Sequence, residues 1–417
     1  MLYRSLLAIL NVLTRLAIRR HKPVVVAVTG SVGKTSTRQA IVTVLRAQYH
    51  GHVRATRANL HTELGVPLAV LGIKPCGHNV AGWMLQLFKG FWIALLGAGY
   101  PEVLVLEMAA NEPGNITALS KLVPPNIAVV TEIGMVPEHV ERYAGPKNLA
   151  REQARVVEAL PVDGWAILNG EDETVLAMRE RTDAHTRAYG FVDATSMPLD
   201  VSATAFEVRT RNENGQDVPD GVSFKIEFKG TVVPVRIHGT FGRGIVRAAL
   251  AAAAVGLALG MHLVEISEAL SDFAGPSGRL RLLRGLRQSF LIDDSANASP
   301  PSVAMALETL RELPAKRRIA VLGDMAGLGK YTEAAHQRVG HDVALVADVV
   351  ITVGEQMRFA AEEALQHASA TLEELHFSTM QEAAVRLREM VAPGDLVLVT
   401  GGRAMGLEYI VETLRHV

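Results

Sequence analysis

The stretch Val24-Val25-Val26-Ala27-Val28-Thr29-Gly30-Ser31-Val32-Gly33-Lys34-Thr35-Ser36 decides how this chain is read. The β-branched run from Val24 to Val28 suits a strand covered on both faces. A turn with two glycines follows, and from Thr35 to Ala47 apolar residues recur at helical spacing. Strand, loop and helix in that order are the setting of a phosphate-binding loop. Backbone N–H groups at the helix start would cradle phosphate oxygens, and Gly30 and Gly33 would let the backbone come close. Lys34 brings a point charge, and the Thr35 hydroxyl suits a magnesium ion; Ser31, Val32 and Ser36 complete the loop. The full Walker spacing is not met, because Val28 stands where its first glycine would be.

Outward from the loop, short apolar runs at Val103 to Leu106, Ile127 to Val130 and Ala166 to Leu168 alternate with helical segments. That alternation predicts a mainly parallel, covered sheet. Between Leu199 and Ile237 the texture turns to strict alternation, with Asn214-Gly215 and Asp220-Gly221 as turn signals. A small antiparallel insertion over about 199–238 is the expectation. An alanine-rich helix runs from about Ile245 to Leu257, and Gly275-Pro276-Ser277-Gly278 reads as a boundary. Beyond it, strand candidates at Phe290 to Ile292, Ile319 to Leu322, Val349 to Val353, Leu375 to Phe377 and Leu396 to Val399 are separated by helical segments. The expected fold is α/β: a helix over 1–22, a P-loop central domain over 23–277, and a compact Rossmann-like domain over 278–417. No dinucleotide glycine fingerprint is present.

Composition narrows the function. With 417 residues and 49% apolar content the chain can bury substantial cores. Its 42 basic and 43 acidic side chains are interspersed, with no basic tract for nucleic acid, so no nucleic-acid partner is expected. Cys76 is the only cysteine, which rules out an intramolecular disulfide or a cysteine-built zinc site and fits a reducing, cytoplasmic compartment. The first 22 residues form an apolar helix ending in Arg19, Arg20, His21 and Lys22. Arg4 and Arg15 argue against a membrane span, and no signal cleavage site follows. Two readings stand: an interfacial helix at the inner face of a membrane, or a helix docked on the body of the protein.

Leu104-Val105-Leu106-Glu107 puts a carboxylate just past a buried strand, where it would hold the magnesium of a bound nucleotide. An ordinary strand-end glutamate is the plain alternative. With the P-loop it points to a nucleoside triphosphate, and the absence of an Asn-Lys-x-Asp motif favours ATP over GTP.

These pieces in this order resemble the Mur ligase family, and within it the branch that adds D-alanyl-D-alanine to a UDP-muramoyl tripeptide. The likeness runs from Pro23 to the C-terminus. Besides the loop it rests on Asn59 to Pro67 (NLHTELGVP), Glu107 to Ile116 (EMAANEPGNI), Thr131 to Gly134 with His139, and Ala166 to Asp172 (AILNGED). In the second half it rests on Gly278-Arg279-Leu280, Ile292 to Pro300 (IDDSANASP), Val321 to Gly329 (VLGDMAGLG) with His336, and Gly401 to Glu408. The resemblance implies an ATP-dependent amide-bond ligase of cell-wall precursor synthesis that works through an acyl phosphate and releases ADP and phosphate. ATP and Mg2+ are the cofactors it implies; Glu107 and His139 fall where the family holds magnesium, and Lys34 where it contacts the transferred phosphate. Arg279, Asp294 and Asn297 match positions that grip the nucleotide from the C-terminal domain.

The sequence departs from the family pattern in several places. Gln153 stands where the family has a carbamylated lysine supporting the magnesium site. Glu132 replaces an asparagine, Ala296 a tyrosine and Thr400 the lysine of a KGSR stretch; the histidine motif before the alanine-rich helix reads Gly242 to Ala248 (GRGIVRA). The family's N-terminal domain, which grips uridine diphosphate, is expected to be absent, since about 22 residues precede the P-loop strand. The acceptor would then be a small-molecule or lipid-linked muropeptide, joined to an amino acid or dipeptide donor, with peripheral membrane contact through residues 1–22. Two other readings are a polyglutamate or pseudomurein type ligase of the same superfamily, and a non-catalytic ATP-binding subunit.

Overall fold

The computed structural model describes residues 2–57, 62–97, 99–213, 216–367 and 372–416. The first half runs α1 (Leu2–His21), β1 (Val24–Thr29), α2 (Lys34–Gln48), β2 (Val53–Ala55), α3 (Gly65–Leu71), α4 (Val80–Leu95), β3 (Val103–Glu107), α5 (Asn115–Leu122) and β4 (Ile127–Val130). It continues with α6 (Pro146–Glu158), β5 (Trp165–Asn169), α7 (Glu173–Leu176), β6 (His185–Phe191), β7 (Val201–Glu213), β8 (Gln216–Phe228), β9 (Thr231–His238), α8 (Arg243–Ala258) and α9 (Leu263–Ser271). The strands form one nine-stranded sheet in the order β2-β3-β1-β4-β5-β6-β7-β8-β9. The β1 to β6 core is parallel, with β1 between β3 and β4. Strands β1, β3, β4 and β5 are nearly continuous apolar runs because both faces are covered. One face packs on α2 and the fully buried alanines of α8, whose small side chains let the helix sit close; α1, α3, α5 and α6 cover the other.

The second half runs β10 (Arg281–Arg284), β11 (Phe290–Asp294), α10 (Pro300–Glu312), β12 (Arg317–Gly323), α11 (Thr332–Ala344), β13 (Val349–Val353), α12 (Arg358–Gln366), β14 (Glu373–Phe377), α13 (Met380–Met390), β15 (Asp395–Thr400) and α14 (Glu408–Leu414). Its sheet has the order β10-β11-β15-β12-β13-β14, parallel except for the edge strand β10. The five expected strands are present; β10, whose four residues carry no periodicity of their own, was not foreseen.

The antiparallel segment occupies the expected residues: β7, β8 and β9 pair antiparallel, and because β7 pairs in parallel with β6 they extend the main sheet. One expected turn is placed differently. Asp220-Gly221 is no turn but lies inside β8, where Gly221 (φ 153) lets the carbonyl of Ile237 approach; a Cβ there would sit 2.0 Å from that oxygen. The turn between β8 and β9 is Lys229-Gly230, both at positive φ, as a tight hairpin requires. The other signal, Asn214-Gly215, lies outside the described residues, as do Asn59, Leu60 and His61 of the NLHTELGVP motif.

Among the described residues no helix is long and apolar enough to cross a membrane. Of the two readings of the N-terminal helix, docking on the body is what α1 does with one face: Leu10, Leu13 and Ala17 are buried in the core beneath the parallel sheet. Leu10→Ala should therefore lower stability in urea unfolding by about 2–5 kcal/mol. An unchanged midpoint would mean that α1 is detached in solution.

Candidate active site between the two sheets

The P-loop is shaped by what it packs against. Gly30 (φ 132) leaves no room for a side chain, since a Cβ would lie 2.1 Å from Thr131 Oγ1. The Ser31 and Val32 N–H groups donate to the carbonyl of Glu132 (2.8 and 3.0 Å), which ties the loop to the segment after β4. Asp172 secures that segment in turn, accepting from the Ile133 and Gly134 N–H groups while capping α7. Gly33 (φ 82) opens α2, whose first-turn N–H groups need partners from outside the helix and favour an anion. Lys34 Nζ donates to the carbonyls of Gly30 (2.8 Å) and Ser31 (2.9 Å).

Pairing of β1 with β3 sets Glu107 opposite Val28, at the mouth of the loop. Its buried carboxylate accepts from Thr35 Oγ1 at 3.2 Å and pairs with Arg38 Nε at 3.3 Å, while its N–H donates to Thr56 Oγ1. His139 sits in the left-handed region (φ 64). Burial holds its imidazole below the usual histidine range, with Glu138 pulling the other way. Gln153 lies on the inward face of α6 with Leu149 and Val157; its Oε1 is buried without a hydrogen-bond partner.

The second half supplies the opposite wall. Asp294, at the end of β11, accepts from Thr400 Oγ1 at 3.1 Å. Burial pushes its carboxyl up to about 7, against the opposing pull of Arg279. Asn297 Nδ2 donates to Glu138 Oε1 at 2.9 Å, a bond that crosses from one half of the chain to the other. Burial alone would raise Glu138, yet Lys34, His139, the Asn297 bond and Arg279 together hold it below the usual carboxylate range. Burial likewise pulls the Lys34 ammonium below the ordinary lysine range, against the opposing effect of Glu138 and Glu107.

Gly30 to Ser36, Glu107, His139, Gln153, Arg279, Asp294 and Asn297 all line one cavity of about 530 Å³. That volume is within the range of small-molecule sites. Sequence reasoning missed Glu138, Asn111 and Arg403, which line it too. Each adjoins or lies within a stretch that carries the family likeness, and adjacency was the available signal.

The departures have physical counterparts. A Cβ at Gly242 would lie 2.2 Å from Thr309 Oγ1, and one at Gly244 2.1 Å from Met305 Sδ, so the altered motif admits α10 against the start of α8. Ala296 packs on Gly278, where an added Cβ would lie 2.9 Å from the Ala296 Cβ. Glu132 is half-buried; burial raises its carboxyl, and the charge of Arg247 offsets part of the rise. Arg247 itself holds Glu171 at 2.7 Å. From the second half, Gly327 approaches His139 so closely that a Cβ would lie 3.2 Å from its backbone nitrogen. His336 holds that loop, its Nε2 accepting from the Met325 N–H at 3.2 Å.

Two sheets meeting over a strand-loop-helix phosphate site is an arrangement shared with known proteins. Residues 93–256 match the Mur ligase middle domain and residues 278–403 the Mur ligase, glutamate ligase domain. The UDP-N-acetylmuramoyl-tripeptide--D-alanyl-D-alanine ligase of Mycobacterium tuberculosis is 30% identical over 421 residues, covering 94% of this chain and 72% of that protein. The chain belongs to the Mur ligase family. The Bacillus subtilis protein of the same name is also 30% identical, over 94% of this chain and 75% of its own length. The solved structure of MurF from Acinetobacter baumannii matches with a TM-score of 0.77 at 26% identity, over 97% of this chain and 79% of that one. MurF from Thermotoga maritima in complex with ADP shares the fold, with a TM-score of 0.78 at 23% identity over 98% and 83% of the two chains.

Asp294 makes the site sensitive to pH. Folding raises its pKa, so the folded chain retains a proton there that the unfolded chain has lost, and the stability this group contributes falls as pH rises from about 4 to about 7. In thermal melts, Asp294→Asn should gain on the wild type across that interval and level off above it. A gap that does not change with pH would show an Asp294 ionised throughout.

Proposed function

We propose that this Mur ligase is an ATP-dependent carboxylate–amine ligase that activates its acceptor as an acyl phosphate and releases ADP and phosphate. The relatives' named reaction gives the substrates of this reading: a muramoyl-peptide carboxylate as acceptor and D-alanyl-D-alanine as donor. The observation that carries it is the convergence of Lys34, Thr35, Glu107, His139 and Gln153 with Arg279, Asp294 and Asn297 on one cavity. We assign these residues to two domains, 23–277 and 278–417, after the helix of residues 1–22.

In the reaction an acceptor carboxylate oxygen attacks the γ-phosphorus of ATP and the bond to ADP breaks. The donor amine then attacks the acyl carbon, loses a proton, and phosphate leaves. Negative charge gathers first on the phosphoryl oxygens, where Lys34 and the N–H groups at the start of α2 stabilise it without covalent work. Arg279 adds a guanidinium from the facing domain, and Asn297, bonded to Glu138, holds that domain near the loop. The donor set suits magnesium: hydroxyl, carboxylate and amide oxygens at Thr35, Glu107 and the unpartnered Oε1 of Gln153, with His139 nearby. When bound, the ion would draw charge from the phosphates; Gln153, unlike a carbamylated lysine, would contribute a neutral oxygen. Closure of the two halves over bound substrates would limit hydrolysis of the acyl phosphate. A peripheral membrane contact through residues 1–22, and a lipid-linked form of the acceptor, belong to the same reading.

The replacement at Gln153 favours one alternative, a nucleotide-binding subunit without turnover. Phosphate release from ATP and magnesium, measured with D-alanyl-D-alanine and a panel of muropeptides and checked for ligated product by mass spectrometry, separates the two. Release should depend on both substrates and fall by about a hundredfold or more in Lys34→Ala. ATP binding with no release under any combination would support the non-catalytic reading.

A further inference from the structure

The most unusual surface of the molecule lies away from the cavity, on α1 and α4. Helix α4 packs only its narrow side inward: Gly90 and Ala94 are buried, and Gly90 faces Leu13, Leu71 and Ile73. The broad side is left outside, with Met84 (68% exposed), Leu85 (64%), Phe88 (62%) and Trp92 (43%) in the solvent. Its neighbour α1, which meets it through His21 Nε2 and the carbonyl of Ile93 at 3.1 Å, adds exposed Tyr3, Ile9, Val12 and Leu16. Soluble surfaces rarely carry so many large apolar groups on two packed helices, and such patches mark interaction sites.

Charge identifies what the patch faces. Glu63 is the only acidic residue before Glu102, although the chain holds 43 aspartates and glutamates. The same two helices and their flanks expose Arg4, Arg15, Arg19, Arg20, Lys22 and Lys89. A second protein would ordinarily be met with charges of both signs. An uncompensated cationic collar around an apolar face, with Tyr3 and Trp92 on it, is instead the composition of helices lying in the plane of an anionic lipid surface. Neither helix is long and apolar enough to span a bilayer, which is what an in-plane position requires.

We infer that α1 and α4 together form a docking face for an anionic phospholipid bilayer, with α4 inserting Met84, Leu85, Phe88 and Trp92 between headgroups. This goes beyond a contact through residues 1–22, because α4 carries the larger apolar face. It does not rest on the ligase reading. The platform is nevertheless wired to the cavity: α1 leads into β1 and the P-loop, and α4 into β3, which ends at Glu107.

The test is co-sedimentation of the full chain with phosphatidylcholine vesicles, with and without phosphatidylglycerol, alongside analytical ultracentrifugation. Binding to the anionic vesicles, weakened by salt, is the expected result. Phe88→Glu together with Trp92→Glu should reduce it roughly tenfold or more, with the melting temperature and ATP binding retained. Failure to bind anionic vesicles would overturn the proposal. So would equal binding of the double variant, or a dimer in solution that the double variant abolishes, which would assign the face to a second copy of the chain. ATP binding and phosphate release are read separately, so failure of docking and failure of the ligase reading remain distinct.

Discussion

A half-buried ammonium is the constraint around which the site is arranged. Lys34 lies at the start of α2, and a charge in such a place is tolerated only when it is hydrogen-bonded and answered by opposite charge. The loop's own carbonyls at Gly30 and Ser31 take its protons, and Glu138 and Glu107 supply the charge. Glu138 in turn accepts from Asn297 of the other half, so stabilising one lysine draws in residues far apart along the chain. The loop from Gly30 to Ser36 is therefore one end of a polar network that reaches across the cavity to the second half.

That network accounts for the small residues at the junction. Gly242 and Gly244 admit Thr309 and Met305, Ala296 rests on Gly278, and Gly327 meets His139. The Gly242, Gly244 and Gly327 contacts join the two halves at distances where a larger side chain would push them apart, while Ala296 on Gly278 lies within the second half. One position that reads as a loss from the family pattern is in this light a matched pair, Thr400 with Asp294. Gln153 is the exception, its oxygen left without a protein partner in the cavity it shares with Glu107.

Much of this was legible in the sequence because it depends on short-range pattern. Val24 to Val28 reads as a covered strand, and Gly33-Lys34-Thr35 as a helix start open to phosphate, from a dozen residues. Likeness to the family singled out Gln153, and the structure sets it on the buried face of α6 with Leu149 and Val157. Pattern failed where the partner was distant. Asp220-Gly221 has the composition of a turn, but the strand beside it, not its own preference, decides that Gly221 stays extended within β8. Glu138 has no signature of its own, and its importance comes from Lys34 and Asn297. The outward face of α4 was likewise invisible to hydropathy, which sees apolar spacing and cannot tell an inner from an outer stripe.

The sequence by itself determined the strand-loop-helix phosphate site, the two α/β halves, the family, and the almost complete absence of acidic residues from the first hundred positions. These follow from local geometry and composition, which neighbours cannot alter. Only the tertiary structure decided that Glu138 and Asn297 join the halves, that β7 to β9 lengthen the main sheet, and that α4 turns Phe88 and Trp92 outward. Those outcomes depend on which surfaces meet, and burial and pairing are properties of the packed chain that no short segment carries alone.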